Sequence, residues 1–436
     1  MSISRKDLMI FISSLLLFAV GIFAYGMENY AAFAIITTCI NLLFIYKFLS
    51  RIPILIIFLF IFFYTSTFNY FFLNSISISF WGDFQTIFAL KKVLLSHLLF
   101  IFFLGNCTFS DSNEKSLDFV SLFKPNKKVA ITFLVICILI LIFGIQGKSL
   151  LEGGVYFDQE SATKSTFHEY FILCFYFLIL FSPRSLFFKN IQRILFVFFV
   201  LKTLIFGGRI EVVEIVILWF YLYYVFKDKI RVYTILFLSI IGFYSLNVMS
   251  NIRANPIAFL SGEEISKFFN PTNMFIKGND VDFISTNEGD VIQSSARIVG
   301  LIDSNELKLE QRVLGPILFI LSPIVPTSLL PDYANLASFK QDKYRSGGGG
   351  LISIYFYSWL WYFGPILIGV FLAYIFNSFF RITSVYVYVY GTMALVMFPR
   401  WFAYNPIILV KFCAYSLIIL IMVNLISKSK FISTGE

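Results

Sequence analysis

The sequence predicts an all-α polytopic membrane protein, with about 12 transmembrane helices and one large extracytoplasmic loop. Three observations predict it. Apolar residues make up 58% of the 436-residue chain and charged residues only 14%, whereas a soluble domain carries about 25% charged residues. Mean hydropathy is +0.83, and the apolar residues fall into runs close to the length that crosses a hydrocarbon core of about 30 Å. One stretch alone, 251–350, interrupts the pattern with charges, prolines, asparagines and serines. The organisation expected is therefore a membrane domain over 1–250, a large loop over 251–350 carrying short helices and a re-entrant segment, and a second membrane domain over 351–436.

Taken in order, Arg5, Lys6 and Asp7 precede an apolar run from Leu8 to Tyr25. No small-x-small cleavage site follows it, so it is expected to remain as the first span. Further runs occupy 30–49, 52–73, 84–105, 129–147, 168–182, 191–206, 209–226, 232–249, 352–380, 384–398 and 405–427. Several fall short of about 20 residues and one exceeds it, which tilt or a broken helix accommodates.

Charge assigns the orientation. With the N-terminus inside, the inner connections hold seventeen Lys and Arg, while the short outer connections hold only Lys148, Lys164, Arg209 and Arg400. That asymmetry predicts both termini in the cytoplasm. It also accounts for the net charge of +9 without a nucleic-acid partner. The five cysteines lie in or beside apolar runs and form no CxxC pair, so neither a disulfide framework nor a thiolate metal site is expected.

The long loop then lies outside. Its nine Lys/Arg and eleven Asp/Glu nearly balance, unlike a polyanion-binding tail. Ser261 to Glu264 has capping-box spacing, followed by Ile265, Phe268 and Phe269, which predicts a short helix. Gln293 to Ile302 is a second short helical candidate. Val313 to Leu330 is apolar but contains Pro316, Pro323 and Pro326, so a re-entrant or interfacial segment is expected there rather than a span.

Charges within spans need a reason, since each costs roughly 2.5–3.5 kcal/mol at the bilayer centre. Lys91, Lys92, Lys202, Glu211, Glu214 and Lys411 are such residues. Lys202 and Glu214 each lie about 9 Å below the turn Gly207–Arg209, at 1.5 Å per residue, so an ion pair between them is expected. Arg209, Arg253, Arg345 and Arg400 all fall near the outer surface beside different helix ends. Guanidinium forks suit phosphate oxygens, and such a cluster fits a diphosphate headgroup; the alternative is simple snorkelling at the interface. Gly347 and Gly348 open a glycine run that reads as a hinge or as a phosphate nest. The sequence has no HExxH, no nucleotide-binding GxxxxGK[ST] loop and no GxSxG elbow. No metal and no cofactor is expected.

With its Gly207–Gly208–Arg209 turn, late outer loop, proline-rich Ser322–Asp332, glycine run leading into Tyr355–Pro365, and Arg400 turn, the chain resembles the Wzy-type O-antigen and repeat-unit polysaccharide polymerases of bacterial envelopes. The resemblance implies a GT-C-like glycosyltransferase at the periplasmic face of the inner membrane. Its substrates would be oligosaccharides on undecaprenyl diphosphate, its surroundings membrane lipids, and a further partner a chain-length regulator protein. Arg209, Arg253, Arg297, Arg345, Arg400, Gly347 and Gly348 are then the candidates for holding diphosphate or glycan. Asp332, Glu211 and Glu214 are the candidates for the base. Two alternatives stay open: a flippase for lipid-linked oligosaccharide, against which the large loop and missing internal repeat count, and an O-antigen ligase, whose expected loop histidine is missing here.

Overall fold

The computed structural model describes residues 5–73, 78–80, 83–85, 87–109, 123–145, 166–206, 208–224, 231–254, 287–325, 329–344, 349–380 and 384–427. Among these the chain is helical apart from one short antiparallel hairpin, β1 (Ile78–Phe80) with β2 (Asp83–Gln85), in which Ser79 pairs with Phe84. Five helices are long and apolar enough to cross a membrane, and four shorter apolar helices accompany them. The protein is a membrane-embedded, α-helical chain. The helix expected from Ser261 to Phe269 lies outside the described residues.

The chain divides into two compact units, 1–114 with 232–241 and 272–413, and 115–231 with 242–271 and 414–436. This division differs from one drawn by polarity, because packing carries part of the polar stretch into the first unit.

The first unit is built on α1 (Arg5–Gly26), α2 (Tyr30–Lys47), α3 (Ile52–Leu73) and α4 (Ile87–Cys107). Polar contacts fix which helix ends lie together. At one end, Lys6 Nζ donates to the Tyr46 carbonyl at 3.3 Å, and Lys47 Nζ to the carbonyls of Gly105 and Thr108 at 2.8 and 2.7 Å. Carbonyls at a helix C-terminus lack intrahelical donors, so Lys47 satisfies those closing α4. At the opposite end, Lys91 donates to the Tyr30 hydroxyl at 3.0 Å and lies over the Phe88 ring. Lys92 pairs there with Asp303 at 2.7 Å. These lysines therefore sit near the mouth of the bundle, not at its centre. The interior holds a polar thread in which Thr65 Oγ1 donates to the Ile61 carbonyl and accepts from Asn41 and from His97 Nε2.

The polar stretch supplies α10 (Asn287–Asp303), α11 (Leu309–Leu321) and α12 (Leu336–Tyr344). The first covers the expected Gln293–Ile302 helix and extends it at both ends. It packs against α3 and α4 with every residue from Val291 to Val299 buried. The polar loop is thus partly inside the bundle. Where a re-entrant or interfacial segment is expected, α11 has 13 residues with Pro316 inside it, too short to span. Leu309, Val313, Ile317 and Ile320 are exposed along one face, while Arg312, Gly315 and Phe319 are buried on the other.

The long run 352–380 is two helices, α13 (Ile352–Leu360) and α14 (Phe363–Phe380). The break is at Trp361, whose φ of 49° lies in the left-handed region and costs of order 1–3 kcal/mol for a non-glycine residue. The Arg312 guanidinium, 4.0 Å over the Trp361 ring and bonded to the Ser358 carbonyl, holds it there. Gly364 follows because a β-carbon there would come within 2.0 Å of the Phe356 carbonyl oxygen. The unit is completed by α15 (Val385–Val396), α16 (Phe398–Ala403) and the start of α17 (Ile407–Ser427).

The second unit contains α5 (Lys127–Phe143), α6 (Tyr170–Phe181), α7 (Leu186–Ile205) and α8 (Ile210–Tyr223). Helix α9 (Val232–Ala254), like α17, contributes residues to both units. Helix α6 is apolar all round and buried from Phe171 to Phe181, as expected of a helix enclosed by others. Its Phe171 stacks on Phe199 of α7 at 4.2 Å and Phe177 on Phe133 of α5 at 5.4 Å.

Candidate functional site

The best-defined polar cluster lies in the first unit and is built on α10. Ser294 and Arg297 are one turn apart on this helix and share a face, with Ser295 beside them. All three are buried, Arg297 to 1% exposure. Lys340 of α12 reaches into this face: its Nζ donates to Ser294 Oγ at 2.7 Å and to the Gly349 carbonyl at 3.4 Å. Its side chain has 0% exposure. Burial, and next the Arg297 charge, lower the Lys340 pKa from 10.5 to about 7, while Asp290 works the other way. Two cationic side chains thus share one buried site, and Asp290 itself is exposed.

The end of the glycine run forms the floor. Ser295 Oγ accepts from the Leu351 N–H at 2.9 Å and fixes where α13 begins. Gly350 N donates to the Tyr404 carbonyl at 3.3 Å, and the Tyr355 hydroxyl donates to the same carbonyl at 2.9 Å. A β-carbon on Gly349 would overlap the Tyr404 backbone, and one on Gly350 would come within 2.9 Å of Ile298 Cδ1. Gly349 is therefore required by close backbone approach, while at Gly350 the neighbour is a side-chain methyl.

Arg400 enters through the same backbone. It is buried on α16, and its carbonyl accepts from the N–H groups of Tyr404 and Asn405, both at 2.9 Å. The sequence placed Arg400 in an outer turn, but the structure sets its helix deeper. Phe402 of α16 lies 6.0 Å from the His97 ring, 5.3 Å from Tyr64 and 6.1 Å from Phe100. His97 is about 15 Å along α4 from its start at 1.5 Å per residue, close to the helix midpoint. The physical reason is the length of α15, whose 12 residues span only about 18 Å before Pro399 begins the next helix.

Asp332 opens a 3-10 turn, Asp332–Ala334, and is exposed. Three residues on, Asn335 Oδ1 accepts from Asn405 Nδ2 at 3.4 Å, which ties this turn to the Tyr404 segment. Arg297, Arg400 and Asp332 thus come from elements joined around Gly349 and Gly350. Arg345, Gly347 and Gly348, and the Arg253 side chain, lie outside the described residues.

The remaining candidates belong to the second unit. Arg209 is the N-cap residue of α8, and Glu211 and Glu214 are buried in its first two turns. The carboxylate of Glu211 is well placed for the partial positive charge at that terminus. The expected Lys202–Glu214 ion pair does not form. Lys202 Nζ instead donates to the Leu141 carbonyl, and to that of Ile142 at 3.4 Å. Helix α5 ends there, and its orphan carbonyls give an ammonium both hydrogen bonds and a favourable dipole. His168 is buried, stacks on Phe199 at 4.7 Å and donates from Nε2 to Thr203 Oγ1 at 2.9 Å, the threonine giving its own proton to the Phe199 carbonyl.

Lys340 is the site residue that sequence reasoning passed over. It sits in a mixed-charge segment, Lys340–Lys343, that reads as a solvated face. The available signal was the neighbourhood: a lysine nine residues before a glycine pair whose backbone must be approached closely. No family model, no curated protein and no solved structure matches this chain.

Proposed function

We propose that the protein is a polysaccharide polymerase of the bacterial inner membrane. It transfers a glycan chain from undecaprenyl diphosphate to the non-reducing end of another lipid-linked repeat unit. The observation that carries this reading is the buried pairing of Arg297 and Lys340 over the Gly349–Gly350 backbone within a membrane bundle. Buried cations of this kind stabilise an anion, and the leaving group of such a transfer is a diphosphate whose negative charge grows as the bond breaks. In the reaction, the acceptor hydroxyl oxygen bonds to the anomeric carbon while the bond from that carbon to the diphosphate oxygen breaks. The hydroxyl proton passes to a base. Asp332 is the carboxylate candidate whose turn is tied to the cradle; Glu211 and Glu214 are the others.

In this reading twelve spans place both termini in the cytoplasm, and the bundle end carrying Lys92 and Asp303 faces the periplasm. Arg209, Arg253, Arg345, Gly347 and Gly348 are the further headgroup candidates that the sequence resemblance offers, and a chain-length regulator acts as a further partner. The test is the envelope polysaccharide of a strain lacking the gene, complemented with the wild type, Arg297→Ala or Arg400→Ala. A single capped repeat in the deletion strain, a full ladder with the wild type and none with the variants are expected. Loss of even the single repeat would transfer the assignment to a flippase. Free polymer accumulating on the lipid carrier would transfer it to a ligase.

A further inference from the structure

Helix α11 buries one face and exposes the other, and its contacts fix the direction in which it runs. The Arg312 guanidinium donates to the Ser358 carbonyl and lies over Trp361. A β-carbon on Gly315 would overlap the Trp359 ring, and Phe319 packs on Trp359 and Phe356 at 5.0 and 5.9 Å. As the residue number rises along α11 it falls along α13, so the two helices pack antiparallel. Helix α13 itself climbs from the interior of the bundle to its mouth. It begins where the Leu351 N–H donates to Ser295 Oγ, about 12 Å along α10 from Asp303, beside the Tyr404 segment that leads back to Phe402 and His97. Its nine residues rise about 13 Å to Trp361. Around that end lies a belt of aromatic and charged side chains. Lys92 pairs with Asp303 at 2.7 Å, Lys91 bonds Tyr30, whose ring is 6.1 Å from that of Tyr25, and Tyr362 is hydrogen-bonded to Tyr25 and Tyr357. Tyrosine, tryptophan and lysine collect where acyl chains give way to headgroups. Helix α11 therefore starts at the belt and descends from it.

We propose that α11 is a re-entrant helix: it enters the bilayer at the belt, descends beside α13 and rests its outer face against the acyl chains of that leaflet. The proposal goes beyond the polymerase reading and holds whatever reaction the protein performs. Val313, Ile317, Ile320 and Ile324 are 54–79% exposed and recur at helical spacing. No charged residue occurs from Val313 to Ile324, so in water this side would be one contiguous apolar patch. The charges of the helix gather at its entry, where Lys308 and Glu310 are exposed and Arg312 is turned inward. Acyl chains are the occupant already at hand. Helix α14 starts two residues after Trp361 and carries its own exposed stripe of Phe363, Leu367, Phe371 and Tyr374, so the two apolar surfaces are continuous. The lower end of α11 also meets the condition a bilayer sets, that backbone leaving a helix at depth keep its polar groups satisfied. Ser322 is buried and its hydroxyl donates to the Phe319 carbonyl at 2.7 Å, while the N–H groups of Ile324 and Val325 both donate to the Leu321 carbonyl.

Photo-crosslinking of the full-length protein in nanodiscs of phosphatidylethanolamine and phosphatidylglycerol tests this. Benzoylphenylalanine replaces Val313, Ile317 or Ile320, one at a time. All three side chains are exposed, so the larger group meets no packed neighbour. Mass spectrometry of the adducts identifies both the partner and the carbon attacked. Lipid adducts are expected at all three positions, with the point of attachment moving toward the end of the acyl chain by about 10 Å between Val313 and Ile320. Attachment at one common depth would overturn the descent and leave a helix lying flat at the leaflet boundary. Crosslinks to a second copy, or to another segment of the same chain, would overturn the lipid assignment, as would protein recovered without adducts.

Discussion

Replacing Lys340 by methionine should make the folded protein more stable. In the folded chain the Lys340 pKa is about 7, against 10.5 for an exposed lysine. The gap corresponds to roughly 4–5 kcal/mol against the charged form, at about 1.4 kcal/mol per tenfold change. The sign is set by proton counts. Between pH 7 and 10.5 the unfolded chain holds the Lys340 proton and the folded chain does not, so stability rises with pH at up to about 1.4 kcal/mol per unit. Methionine is close in length and carries no charge, so the variant removes this slope. It also loses the bonds to Ser294 Oγ and the Gly349 carbonyl, worth about 1 kcal/mol each. A net gain of about 1–3 kcal/mol at pH 7 remains. Thermal unfolding in detergent from pH 6 to 9 measures it: the wild-type Tm should climb with pH toward that of Lys340→Met, which should show no Lys340-dependent slope. A gap between the two that stays constant across the range, or widens as pH rises, would refute the burial argument.

Three further outcomes follow. Gly349→Ala forces a β-carbon into the Tyr404 backbone and should cost about 1–3 kcal/mol as an overpacking change, seen as a lowered Tm and lost polymer in a variant that still inserts. Exchanging Lys92 and Asp303 should retain the function that either single replacement reduces; the pair is partly exposed, so a double-mutant cycle should return no more than about 1 kcal/mol. Lys202→Met and Glu214→Gln should combine additively to within about 0.5 kcal/mol in unfolding measurements, since Lys202 binds the end of α5 and not the carboxylate.

Class and helix content were legible because a bilayer imposes one rule, internal satisfaction of backbone groups, that apolar runs report directly. The runs of α1 to α4 and α17 follow from it. The break at Trp361 was only partly legible: length marked the run 352–380 as excessive, but the position depends on Arg312, which arrives from a different helix. The depth of Arg400 was hidden because composition does not distinguish a full span from the 12 residues of α15 followed by a turn. Side-chain pairing was the least legible. Lys202 lay opposite Glu214 by residue counting, yet helix-end carbonyls across the unit were the better acceptors. Lys340 is buried because α12 packs on α10, which itself folds against α3 and α4, a placement its own segment does not report.

That placement of α10 has a consequence for biogenesis. Its segment, from Asn287 to Asp303, carries Asn, Glu, two Asp, Gln, two Ser and Arg, too polar for the insertion machinery to release sideways into lipid as a span. It packs on α3 and α4, synthesised earlier, and on α13, synthesised later. The segment must therefore be drawn in among helices that are already threaded, so the bundle closes late in its assembly. A chain halted before Ile352 would have α3 and α4 to receive α10 but not the α13 face that completes its burial.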